Sequence, residues 1–153
     1  MSRRIILILP DIRSTHNTGS LFRTSDGAGV EKIYLTGITA APPHPHLLKV
    51  SLGAEKFVPW EHVPDVVPLL NELRAGGWQL VAAEQDRRSV DYQHVAYSDQ
   101  VALLLGNEVT GVPPHIIDMM DTVIELPMRG QKESLNVSVA GGVLLYHLSN
   151  TSV

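Results

Sequence analysis

The 153 residues of this chain predict an α/β domain built on a largely parallel sheet flanked by helices. Two observations lead there. Short runs that are almost wholly apolar, Ile5 to Leu9, Gln79 to Ala83 and Val101 to Leu105, read as strands buried on both faces. Segments with helical spacing of apolar residues lie between strands, and that alternation is the pattern of βαβ units.

Taken in order, Ile5 to Leu9 is stopped by Pro10 and followed by a loop with Asp11, Arg13, His16 and Asn17. Asn17 is placed to cap a helix over Thr18 to Gly29, with Leu21, Phe22 and Ala28 at its apolar positions. Lys32 to Leu35 is a second strand, and the prolines at 42, 43 and 45 make Thr36 to Pro45 a loop. Val63 to Ala75 has helical spacing, with Pro68 starting or kinking it and Gly76-Gly77 ending it. The two apolar strands 79–83 and 101–105 flank a polar stretch, Glu84 to Gln100. Pro113 to Met120 is a short helix with prolines in its first turn, and Thr122 to Leu126 is the last strand.

A nearly apolar helix, Leu135 to Leu148, closes the chain. Ser134 is placed to cap it. Asn136 lies past that cap and is a poor helix former, so it calls for a second explanation. Val137, Val139, Ala140, Val143, Leu144, Leu145 and Leu148 surround the helix on several sides. Such a helix is buried either in the core or against a partner.

The length suits a single domain, 1–153, able to bury roughly 68 to 70% of its extended-chain surface. No cysteine is present, which excludes disulfides and thiolate metal sites. The apolar run after Met1-Ser2-Arg3-Arg4 is too short for a signal peptide or a membrane span, so a cytoplasmic location with no membrane partner is expected. A net charge of -4 provides no bulk attraction to nucleic acid and counts against an RNA or DNA partner, leaving a local basic surface as the one route to either.

In parallel sheets ligands bind beyond the carboxyl ends of the strands. Three of the loops there are unusual: Asn17-Thr18-Gly19-Ser20-Leu21-Phe22-Arg23, Leu105-Gly106-Asn107-Glu108-Val109-Thr110-Gly111, and Leu126-Pro127-Met128-Arg129-Gly130 leading into Ser134-Leu135-Asn136. The second is no P-loop, because Val112 and Pro113 stand where Lys and Ser or Thr are required, and no strand is followed by GxGxxG. Asn17 and Glu108 also have plain structural roles open to them as helix-terminal residues.

In this order, Asn17-x-Gly19-x-x-x-Arg23, Leu105-Gly106-Asn107-Glu108-x-x-Gly111 and Leu126-Pro127-Met128 with Ser134-Leu135-Asn136-Val137-Ser138-Val139-Ala140 resemble the three motifs of the SpoU (TrmH) family. These are SPOUT-superfamily RNA 2′-O-ribose methyltransferases. The resemblance runs from Asn17 to Leu148, and Ser51-Leu52-Gly53-Ala54-Glu55 is also similar to a segment common in that family.

The resemblance implies a fold ending in a deep trefoil knot, S-adenosyl-L-methionine held in that knot, and an obligate homodimer whose active site is completed across the interface. It implies cofactor contacts at Gly106, Leu126 and Leu135, with Met128, Gly130 and Ser134 in the same loops. For catalysis it implies Arg23, with Asn17, Glu108, Ser134 and Asn136 orienting it or the ribose. A guanidinium stays protonated, so Arg23 suits the anchoring of a phosphate and the stabilisation of an alkoxide. No metal is implied.

The expected partner is RNA, not DNA. The absence of an extra N-terminal domain and of a basic extension after Leu148 resembles minimal family members that act on tRNA, with rRNA as the alternative and a non-catalytic knotted RNA-binding dimer as the rival from another class. Arg3, Arg4, Arg13, Arg23, Lys49, Arg129 and Lys132 are the candidate phosphate contacts, while Arg87 and Arg88 read as a solvated turn. His44 and His46 lack a third ligand at metal spacing and read as part of a proline-rich RNA-facing or dimer-edge loop. Trp60 and Trp78 read as core.

Overall fold

Seven strands form one sheet in the computed structural model, which describes residues 2–153. They are β1 (Arg4–Pro10), β2 (Lys32–Thr36), β3 (Trp60–Val63), β4 (Gln79–Ala83), β5 (Val90–Asp91), β6 (Gln100–Leu105) and β7 (Thr122–Glu125). Their spatial order is β3-β2-β1-β6-β4-β7-β5, and every pairing is parallel. The helices are α1 (Thr15–Ala28), α2 (Pro45–Ser51), α3 (Val66–Ala75), α4 (Pro114–Ile117) and α5 (Val137–Asn150).

The period of two along each strand divides the apolar residues between two cores. Ile5, Leu7, Leu9, Leu103 and Leu105 face a core closed by Leu21 and Phe22 of α1, Leu47 of α2, and Leu144, Leu145 and Leu148 of α5. Ile6, Ile8, Ala102 and Leu104 face the other core, closed by Leu69, Leu70 and Leu73 of α3 and by Ile116 and Ile117. Burial on both faces explains why these strands read as continuous apolar runs. Trp60 and Trp78 pack, partly buried, against the first and second cores respectively.

Several boundaries differ from those the sequence predicts. Helix α1 begins three residues early: Ser14 is its cap, accepting from the Asn17 amide, and Asn17 is a buried residue of the first turn. Helix α5 is capped by Asn136, whose Oδ1 accepts from the amides of Ser138 and Val139, so Ser134 lies outside it. Val63 ends β3 and α3 starts after Asp65, whose carboxylate accepts from Val67 N; Pro68 then falls in the first turn, where no intrahelical amide is lost. Pro113 to Met120 contracts to α4, and Leu126 falls just past β7.

Three elements have no counterpart in the sequence reading: β3, β5 and α2. Helix α2 starts at Pro45, inside the expected loop, with the His44 ring nitrogen accepting from His46 N at 3.2 Å. That bond uses the histidine pair as a helix start.

Two of the proposed phosphate contacts are occupied elsewhere. Arg3 is buried, and its guanidinium donates to the carbonyls of Ser98, Leu148 and Ser152 at 2.8, 2.6 and 2.8 Å. It thereby ties β1 to the carboxyl end of α5. Arg4 pairs with Glu31 at 3.0 Å and stacks its guanidinium over Trp78. Arg13, Lys49, Arg129 and Lys132 are exposed. Arg88 pairs with Asp86 and Asp118, as befits a solvated turn.

Candidate active site

A cleft of about 530 Å³ opens at the carboxyl ends of β4, β6 and β7. One wall is the loop Gly106 to Gly111 after β6; the other is the segment from Leu126 to Asn136 after β7. Asn107 shapes the first wall, because its Oδ1 accepts from the amides of Val109 and Thr110 at 2.7 and 3.0 Å. Of the residues expected to contact a cofactor, Gly106, Leu126, Met128, Ser134 and Leu135 line the cleft, and Gly130 lies outside its lining.

Glu108 sits at its mouth and reaches across to the start of α1. Its carboxylate accepts from the amides of Arg13 and Ser14 at 2.8 and 2.9 Å and from Asn17 Nδ2 at 3.1 Å. An anion there meets the unpaired amides of a helix N-terminus. Partial burial pushes the carboxyl up, but the Arg13 and Ser14 amides and the Asn17 side chain outweigh it and hold Glu108 below the usual carboxylate range.

The network continues into α5. Asn136 Nδ2 donates to Asn17 Oδ1 at 3.3 Å, so Asn17 bridges Glu108 and Asn136. Asn136 spends its oxygen on the helix cap and its amino group on Asn17. This answers why an Asn stands at that point. Ser134 lines the cleft, yet no hydrogen bond joins it to the network among the described residues.

Arg23 is elsewhere. It lies on the exposed side of α1, in a separate depression with Ser20, Thr24, Gly27, Val50 and Tyr146. Among the described residues no hydrogen bond or ion pair joins it to Asn17, Glu108, Ser134 or Asn136. The Tyr146 hydroxyl lies so close over Gly27 that a Cβ there would stand 2.5 Å from it. Beside this depression, α5 leaves Val139, Val143 and Tyr146 exposed at 51, 39 and 48%. The single chain therefore covers only one side of its most apolar helix.

Sequence reasoning missed Glu84 and Gln85, which also line the cleft. The available signal was their position directly after a buried strand, at the carboxyl edge where parallel sheets bind ligands.

The family model described as the SpoU rRNA Methylase family matches residues 4–146. The chain belongs to the SpoU family. A tRNA (guanosine(18)-2'-O)-methyltransferase of Aquifex aeolicus is 35% identical over 143 residues, which are 93% of this chain and 67% of that protein. A Staphylococcus haemolyticus protein assigned to the TrmH family of tRNA/rRNA methyltransferases is 31% identical over 143 residues, 94% of this chain and 57% of its own length. The crystal structure of an AdoMet-bound rRNA methyltransferase from Sinorhizobium meliloti has a TM-score of 0.90 at 29% identity, covering 97% of this SpoU chain and 56% of that one. The chain thus spans little more than half to about two thirds of the length of these relatives. Among the described residues of this SpoU protein, no helix is long and apolar enough to cross a membrane, and no group of three or more His, Asp or Glu residues is placed to hold a metal.

Proposed function

We propose that this SpoU protein is an S-adenosylmethionine-dependent RNA ribose-2′-O-methyltransferase that acts on tRNA in the cytoplasm as a homodimer. The observation behind this reading is the cleft walled by the Gly106 and Leu126 loops, with Glu108 and Asn136 in its lining and joined through the buried Asn17.

The residues present suit the methyl donor. Glu84, Glu108 and Glu125 line the cleft and, among the described residues, no Lys, Arg or His does, a charge pattern that favours a cationic sulfonium ligand. Leu105, Leu126, Leu135 and Leu144 offer apolar surface, and the volume falls within the usual range for small-molecule sites, about 300 to 1,000 Å³. The backbone groups of Gly106, Leu126 and Leu135 would hold it, with Met128 and Ser134 beside them. When bound, S-adenosylmethionine supplies an electrophilic methyl group.

The protein's own part is to align a ribose 2′-oxygen with that methyl and to manage the charge that develops as its proton leaves. Asn136, which lines the cleft and is fixed by the α5 cap and, through the buried Asn17, by Glu108, offers a rigid polar edge for the ribose. Arg23 anchors a backbone phosphate and stabilises the developing oxyanion. Because Arg23 lies outside the cleft of its own chain, the reading requires Arg23 of a second copy to complete it. The exposed stripe Val139, Val143 and Tyr146 beside Arg23 supports pairing through α1 and α5.

A knotted carboxyl end belongs to the same proposal. Its support is the strand order: β7 lies between β4 and β5, so the segment 126–136 must pass the β4–β5 connection to return α5 to α1. The name of the Aquifex relative favours tRNA over rRNA.

Mapping 2′-O-methyl sites in RNA from cells with and without this protein tests the reading. A site lost from tRNA and restored by purified protein with S-adenosylmethionine is the expected result, and a site lost from rRNA would move the substrate to the ribosome. Cofactor binding without methylation of any RNA from the deficient cells would leave the non-catalytic dimer as the better account.

A further inference from the structure

Glu84 and Gln85 follow β4 directly, and their side chains reach opposite walls of the cleft. The Glu84 carboxylate accepts from Val112 N at 2.7 Å through one oxygen and from Gln85 N at 2.9 Å through the other. Gly111 makes room for it. A Cβ on Gly111 would stand 1.9 Å from Glu84 Oε2, and the positive φ of 68° there also favours glycine. The wall that bears Gly106 and Glu108 is thus closed onto Glu84.

Gln85 holds the other wall. Its Nε2 donates to the Glu133 carbonyl oxygen. Residues 129–136 are exposed, and among the described residues this is the one hydrogen bond made by residues 127–135. That segment brings Met128, Ser134 and Leu135 to the cleft.

We propose that Glu84 and Gln85 are positioning residues that set the width of the methyl-donor cleft, Glu84 by holding the Gly111-Val112 turn and Gln85 by holding the Glu133 carbonyl. The inference rests on the methyl-donor reading above. Both residues act through the loops, so they govern donor affinity more than turnover. Neither is required to touch the ribose.

The test measures S-adenosylmethionine affinity by titration calorimetry, and turnover on bulk tRNA, for Glu84→Ala, Glu84→Gln and Gln85→Glu. Glu84→Ala removes the acceptor for Val112 N; Glu84→Gln keeps one. Gln85→Glu replaces the donor with a carboxylate facing the Glu133 carbonyl. Loss of either hold should weaken donor binding about tenfold, with turnover at saturating donor falling less, and Glu84→Gln, which keeps an acceptor but not the charge, should restore part of the affinity lost in Glu84→Ala. Wild-type affinity in both Glu84→Ala and Gln85→Glu overturns the proposal, as does unchanged affinity with lost turnover. If Glu84→Ala does not fold, the exposed Gln85→Glu variant decides. Failure of the unaltered protein to bind S-adenosylmethionine would refute the methyl-donor reading itself, a result distinct from failure of the bracing role.

Discussion

Asn136 Nδ2 lies 3.3 Å from Asn17 Oδ1, joining the cap of α5 to the first turn of α1 across 119 residues of sequence. The same Asn136 caps α5 through Oδ1. Its two ends can therefore be separated by mutation. Asn136→Ala should cost about 0.5 to 2 kcal/mol in denaturant unfolding, the usual loss for a helix cap. Asn136→Asp keeps the capping oxygen but has no donor for Asn17, so it should retain most of the stability and lose methyl transfer. Ser134→Ala should leave the unfolding midpoint unchanged, because Ser134 caps nothing.

Arg23 is exposed, and its removal should cost little stability, within about 0.5 kcal/mol. Arg23→Ala should abolish methyl transfer while S-adenosylmethionine affinity, read by calorimetry, stays unchanged. Mixing unfolded Arg23→Ala with unfolded Asn136→Asp and refolding them together should restore part of the activity, since one site in the mixed dimer receives intact residues from both chains. No recovery would mean that each chain acts with its own Arg23.

The exposed stripe on α5 leads to a separate expectation. Val143→Glu puts a carboxylate among Val139 and Tyr146, where a partner surface would desolvate it. Sedimentation velocity should report a dimer for the unaltered protein and a folded monomer for this variant. A dimer in both would remove α5 from the interface.

Glu108 predicts a dependence on acid. Its folded pKa is depressed, so its contribution to stability is present above the unfolded value, about 4.3, and is lost as pH falls through the lower folded value. Glu108→Gln should therefore flatten the loss of stability below about pH 4.5 and leave the slope above about pH 6 unchanged. Thermal unfolding followed across acid pH checks this.

Arg3 has a structural task, and Arg3→Met should leave the carbonyls of Leu148 and Ser152 without their donor. The expected cost is about 2 to 3 kcal/mol, larger than for a surface arginine. Arg4→Met, which removes an exposed pair with Glu31, should cost about 0 to 1 kcal/mol.

What the sequence determined by itself was the class of fold and the three loops that matter. Both are local properties: a strand buried on two faces must be apolar along its length, and a loop after such a strand stands at the carboxyl edge of the sheet. Ordered motifs then connected Asn17, Arg23, Glu108, Ser134 and Asn136 to one family. The missed elements are short or exposed: β3 has two exposed residues in four, β5 has two residues, and α2 begins at a proline.

Tertiary structure alone decided which polar group meets which. Ser14 rather than Asn17 caps α1, and Asn136 rather than Ser134 caps α5. Glu108 serves the start of α1 and Asn17, Arg3 is buried against the end of α5, and Arg23 faces away from the cleft. The contacts of Glu108 and Arg3 join residues 91 to 149 positions apart, and such a pairing leaves no period and no spacing in the chain. The backbone supplies the amides and carbonyls that Glu84, Gln85, Glu108 and Arg3 bind, and every residue but proline carries both groups. Only their arrangement in space makes some of them into a site.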